Sequence, residues 1–110
     1  MGINAFTKTG NTITFLANTV QPAPVQCSST TLGGNQYRII NTSSNVLVFL
    51  SYGTTSAIAN ANAVVITSSQ NVLPILPTTD EILTFVPNAF FTGITSTGNA
   101  TVYITPGDGV

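Results

Sequence analysis

Apolar residues in this chain never recur over several turns with the period of a helix. They arrive in short runs of Val, Ile, Phe, Tyr and Thr, each closed off by Gly, Pro, Asn or Ser. These runs read as strands over Thr12–Asn18, Val25–Ser28, Gln36–Asn41, Val46–Tyr52, Val64–Thr67, Asn71–Leu76, Glu81–Val86, Phe90–Ser96 and Thr101–Thr105. Gly33-Gly34-Asn35 precedes one strand, Gly98-Asn99 introduces the last, and Pro106-Gly107 ends it. Asn41-Thr42-Ser43-Ser44-Asn45 is expected to join two strands as a hairpin. Ala57–Ala63 has some helical propensity, but its Asn residues and the preceding Gly53-Thr54-Thr55-Ser56 favour a loop or short turn. With 110 residues the chain fits one domain, residues 1–110, and its many short strands predict an all-β sandwich, jelly roll or barrel.

The patterning within the runs says which faces are covered. Thr101-Val102-Tyr103-Ile104-Thr105 alternates, as a strand with one solvated face does. Val46-Leu47-Val48-Phe49-Leu50 does not, so both its faces are expected to be covered. An all-β domain has no helix for that purpose, which points to a subunit contact. Phe90 and Phe91 are expected to send one ring to each side of their strand, one of them toward a partner. The candidate interface residues are therefore Arg38, Phe49, Tyr52, Phe90 and Phe91. Pro74 and Pro77 flank Ile75-Leu76 and predict an edge or bulged strand. Pro22-Ala23-Pro24 reads as an extended connection.

Charge is scarce. Only 5% of residues are charged, against about 25% in an ordinary domain. They are Lys8, Arg38, Asp80, Glu81 and Asp108, and there is no histidine. Polarity comes from 19 Thr, 11 Asn and 9 Ser, which hydrogen-bond but project no field. A formal net charge of −1 argues against nucleic acid as a partner, and equally against an anionic membrane surface. The longest aliphatic and aromatic run, Val46–Leu50, falls far short of the roughly 20 residues a spanning helix needs. No secretory pattern opens the chain at Met1-Gly2-Ile3-Asn4.

The same scarcity removes most chemistry. A nucleophilic Ser, Thr or Cys needs a base beside it, and the usual one is missing. Cys27, the single cysteine, reads as a small buried residue. Asp80 and Glu81 are adjacent, so on a strand they point to opposite faces and do not converge on a substrate. The Cys, His and carboxylate set is too small for a zinc site, and no loop has the charge density of a calcium motif. Gly33-Gly34 and Gly98 match neither a P-loop nor a dinucleotide fingerprint. Asn41-Thr42-Ser43 and Asn99-Ala100-Thr101 fit the glycosylation pattern, as chance provides in so Asn- and Thr-rich a chain. No enzyme activity and no cofactor are expected. Arg38 is expected to pair with a carboxylate such as Asp80 or Asp108, or to reach a partner subunit.

Three segments carry a resemblance. Gln36-Tyr37-Arg38-Ile39-Ile40-Asn41, Val46-Leu47-Val48-Phe49-Leu50-Ser51-Tyr52-Gly53 and Val102-Tyr103-Ile104-Thr105-Pro106-Gly107-Asp108-Gly109-Val110 resemble the strand ends of small capsid decoration (cement) proteins of short-tailed bacteriophages. The resemblance covers residues 36–110. It implies a jelly-roll β-sandwich on the outer surface of an icosahedral virion, made in the host cytoplasm. Its implied partners are the major capsid protein and further copies of itself, as a homodimer or a trimer. Residues 1–24 are then either a sandwich strand or an arm to a neighbouring subunit. The alternative is a receptor- or carbohydrate-binding β module of a phage fibre or spike, using Tyr37, Tyr52 and Tyr103 with nearby Asn.

Overall fold

The structure, a computed structural model, describes residues 6–27 and 35–108. The elements are β1 (Thr7–Lys8), β2 (Ile13–Ala17), β3 (Val25–Gln26), β4 (Gln36–Asn41), β5 (Val48–Gly53), α1 (Ser56–Asn62), β6 (Leu73–Ile75), β7 (Thr79–Thr84), β8 (Phe90–Ile94) and β9 (Ala100–Asp108). They form two antiparallel sheets packed face to face, an all-β sandwich as the strand pattern predicts. In the first sheet β9 lies between β4 and an edge shared by β1 and β2, and β7 closes the other side. In the second the order is β3-β8-β5-β6. The pairing is nested: β2 takes β9, β3 takes β8, β4 takes β7 and β5 takes β6.

Alternation along the strands builds the core. Phe15 and Ala17 of β2, Tyr37 and Ile39 of β4, and Val102 and Ile104 of β9 point inward from the first sheet. Val48 and Leu50 of β5, Ile75 of β6 and Phe91 of β8 meet them from the second. Phe91 stands edge-on to Tyr37 at 5.0 Å between ring centres, and Phe85 packs against Tyr52 at 4.6 Å with the rings tilted by 44°. Each large side chain buried this way contributes about 1.5–3 kcal/mol. The Tyr37 hydroxyl donates to the Val86 carbonyl at 2.6 Å and accepts from the Ala89 N–H, so the polar tip is satisfied inside.

Three expectations are corrected. The Asn41–Asn45 linker does not make a hairpin, because β4 and β5 belong to different sheets. It is a corner, and Asn41 is why it turns there. Its buried side-chain amide donates to the carbonyls of Val46, Ile75 and Leu76, while its Oδ1 accepts from the Ser43 N–H. One side chain thus ties the end of one sheet to the edge of the other. Buried Asn41 is also closed to glycosylation in the folded chain. Second, Val64–Thr67 is not a strand.

Third, the 56–62 segment is a helix, not a loop. Thr55 caps it, its hydroxyl accepting from the Ile58 N–H. The helix lies on the outer face of β5. Ser51 donates to the Ala59 carbonyl at 2.6 Å, and a Cβ on Gly53 would come within 2.6 Å of the Ala59 nitrogen. Only glycine lets the helix sit this close. So the non-alternating β5 run is covered within the chain. The stretch before β3 covers more of the same face: Thr92 of β8 donates to the Pro22 carbonyl, and Gln21 donates to Asn60 of the helix.

Of the two readings of the N-terminal segment, Thr7–Lys8 and Ile13–Ala17 are ladder strands of the first sheet, not an arm. Phe6 packs onto Gly107, where any side chain would collide with it. Pro74 lies in β6, an edge strand as expected. Ser28 and Gly33-Gly34 fall outside the described residues, as do Gly109-Val110 of the resemblance.

Candidate interaction face

The outer face of the first sheet carries no covering element among the described residues. Strand register gives its layout. Thr14, Tyr103, Ile40 and Asp80 form one row across β2, β9, β4 and β7. Thr105, Arg38 and Ile82 form the next, and Leu16 with Thr101 lies on the opposite side of the first row. Thr12 extends the second row by a 2.7 Å hydroxyl–hydroxyl bond to Thr105. Leu16, Tyr103 and Ile82 are 47%, 41% and 38% exposed, high values for apolar side chains on a regular sheet. The face is thus threonine hydroxyls interleaved with apolar side chains, with one ion pair set among them.

That pair is Arg38 with Asp80, reached diagonally across the β4–β7 ladder. Arg38 Nε donates to Oδ1 at 2.9 Å and Nη2 to Oδ2 at 2.6 Å, a bidentate fork. Both side chains are about half exposed, at 48% and 49%. The hydrogen bonds from Arg38 hold the Asp80 carboxyl below its ordinary range, and Asp80 in turn raises the Arg38 guanidinium. Pairing of Arg38 with a carboxylate is as expected, and Asp80 is the one.

The other proposed interface residues do not join Arg38. Phe91 is fully buried in the core, and Phe49 is 8% exposed on the face that the helix covers. Neither is open to a partner in the folded chain, which corrects both. Tyr52 is partly buried and turned into the sandwich against Phe85. Phe90 does lie on the opposite side of β8 from Phe91, half-buried on the outer face of the second sheet. The three tyrosines proposed for sugar binding also separate, since Tyr37 is buried in the core, Tyr52 is turned inward and only Tyr103 is exposed. Leu16, Ile40 and Ile82 were not singled out by the sequence reading. They become visible only with the register that sets them beside Tyr103 and Arg38.

Cys27 is buried between the sheets, its thiol directed at the Ile104 carbonyl at 3.7 Å. Burial pushes its pKa up to about 12, which removes the reactive thiolate at neutral pH. Asp80 and Glu81 are both exposed and point to opposite faces of β7. Among the described residues no three of His, Cys, Asp and Glu come together as a metal site, and no helix is long and apolar enough to cross a membrane. Comparison with family models, with curated proteins and with solved structures finds no match for the chain.

Proposed function

We propose that this chain is a structural virion protein, a capsid decoration protein that binds the outer surface of a shell of major capsid protein and stabilises it. The observation that carries the reading is the surface. Leu16, Val20, Ile58, Val64, Leu73, Leu76, Ile82 and Tyr103 are exposed among neutral Thr, Asn and Ser, on a molecule with five charges. A surface of this kind favours broad contact by apolar burial and neutral hydrogen bonds, each bond worth about 1 kcal/mol net. Many copies on a repeating lattice make such contacts add up. Nested strand pairing supports a jelly-roll reading of the sandwich. Two of the three segments that carry the resemblance are ladder partners, with Ile39 opposite Ile104 and Ile40 opposite Tyr103, while the third lies in the facing sheet.

Contacts of this chemistry are weakly sensitive to salt, unlike charge-driven attachment. Occupancy on purified particles across a salt series tests this. Retention through molar salt is expected, and steep release at moderate salt overturns the reading.

A further inference from the structure

Four residues on the bare face form a rectangle. Arg38 stands directly opposite Ile82 on β7, and two residues along β4, Ile40 stands opposite Asp80. Charges occupy one diagonal and isoleucines the other. Its sides are about 5 Å across the strands and about 7 Å along them. A two-fold axis lying in the face along the isoleucine diagonal has a specific effect. It carries Arg38 to within about 3 Å of a position over Asp80 of a second copy, and Asp80 likewise toward that copy's Arg38, an offset these side chains can span, while isoleucine meets isoleucine. The two sheets then cross at roughly 70°, close to the orthogonal class of sheet packing.

We propose that this face is a self-association surface whose occupant is a second copy of the chain, docked by that two-fold axis. The pattern is complementary to itself, which an isologous contact demands. Hydrogen-bond capacity agrees. Arg38 has five N–H donors and spends two on its own Asp80, while a carboxylate accepts about four bonds. Two copies therefore close a four-membered ring of charges without breaking either internal pair. Ile40, Ile82, Tyr103 and Leu16 supply apolar contact around it, and the charges set the register rather than the affinity. Four strands by about six residues present roughly 400 Å² per copy in projection, about half the standard share and in the range of transient contacts. The association is accordingly weak in solution, and strengthened where copies are held side by side. This inference does not depend on the shell reading.

Sedimentation equilibrium of the isolated protein over roughly 10–500 µM tests it, a range set by the small contact area. Wild type is expected to pass from monomer toward dimer. Arg38→Asp puts two acids on the charged diagonal and Asp80→Arg puts two bases there, so each alone loses association by about tenfold or more. An equimolar mixture of the two recovers it as a heterodimer, because one diagonal now complements the other. A role of the ion pair inside one chain gives no such recovery. Ile82→Lys, at an exposed position, is expected to abolish association in an otherwise native chain. Protection of Cys27 from a thiol reagent reports that each variant is folded. Monomeric wild type throughout, self-association of the single variants equal to wild type, or a folded mixture that stays monomeric each overturns the proposal. Particle occupancy, measured separately, reads the shell contact alone.

Discussion

The two sheets of this sandwich treat their outer faces in opposite ways. The outer side of β5 and β8 lies under α1 and the Gln21–Pro22 stretch, held by Ser51 to Ala59 and Thr92 to Pro22. Outside β2, β9, β4 and β7, Phe6 packs at Gly107 while Leu16, Ile82 and Tyr103 stand exposed. Sequence marks the difference. Every residue of β5 except Tyr52 is buried, whereas β4 and β9 alternate for most of their length. A continuous apolar run thus tells of cover but not of its source. Here the chain covers one sheet itself and leaves Leu16, Ile82 and Tyr103 of the other exposed.

Substitutions can break that contrast in graded steps. The largest effect is expected at Asn41, which serves both sheets. Asn41→Ala orphans the carbonyls of Val46, Ile75 and Leu76 and should cost about 3 kcal/mol, read as a lowered denaturation midpoint. Next is Gly53→Ala, which forces the helix away from β5. It should cost about 2 kcal/mol and expose Phe49, and binding of a hydrophobic dye would rise with it. On the bare face the opposite holds. Leu16→Thr with Tyr103→Thr should cost only about 1 kcal/mol, since both side chains are already nearly half exposed and threonine suits a strand. A large loss there would mean that the face is structurally committed.

The smallest effect is with pH. Arg38 favours the ionised form of Asp80, so its folded pKa lies below the unfolded one. The stabilisation is present above the unfolded value and is lost as pH falls through the folded one. Both groups are half exposed, so solvent screening keeps the change small. With no histidine to titrate, the unfolding midpoint should be flat from about pH 5 to 8 and fall slightly in stronger acid.

Much of the architecture was legible because turn residues bracket the strands. Gln36–Asn41 matches β4 end to end, framed by Asn35 and the Thr42–Asn45 linker. Thr7–Lys8 was missed because two polar residues carry no pattern, and their pairing to Asp108 and Gly107 depends on the far end of the chain. The helix was missed because Asn60 and Asn62 weaken its propensity; what holds it is contact with Gly53 and Ser51. The sheet change at Asn41 was hidden, since nothing local separates a corner from a hairpin. The candidate face was half legible. Arg38 could be named from composition and its carboxylate narrowed to Asp80 or Asp108, but the choice of Asp80 and the isoleucine diagonal exist only through the β4–β7 register.

Nested pairing also has a consequence in time. Strand β2, among the first residues of the chain, has β9, among the last, as its ladder partner. During synthesis β2 can only wait, an unpaired apolar strand, until Ala100–Ile104 has left the ribosome. The distance along the chain between them makes closing the first sheet a late and slow event. The bare face is therefore completed only once β9 is available, after β2, β4 and β7 have already been made.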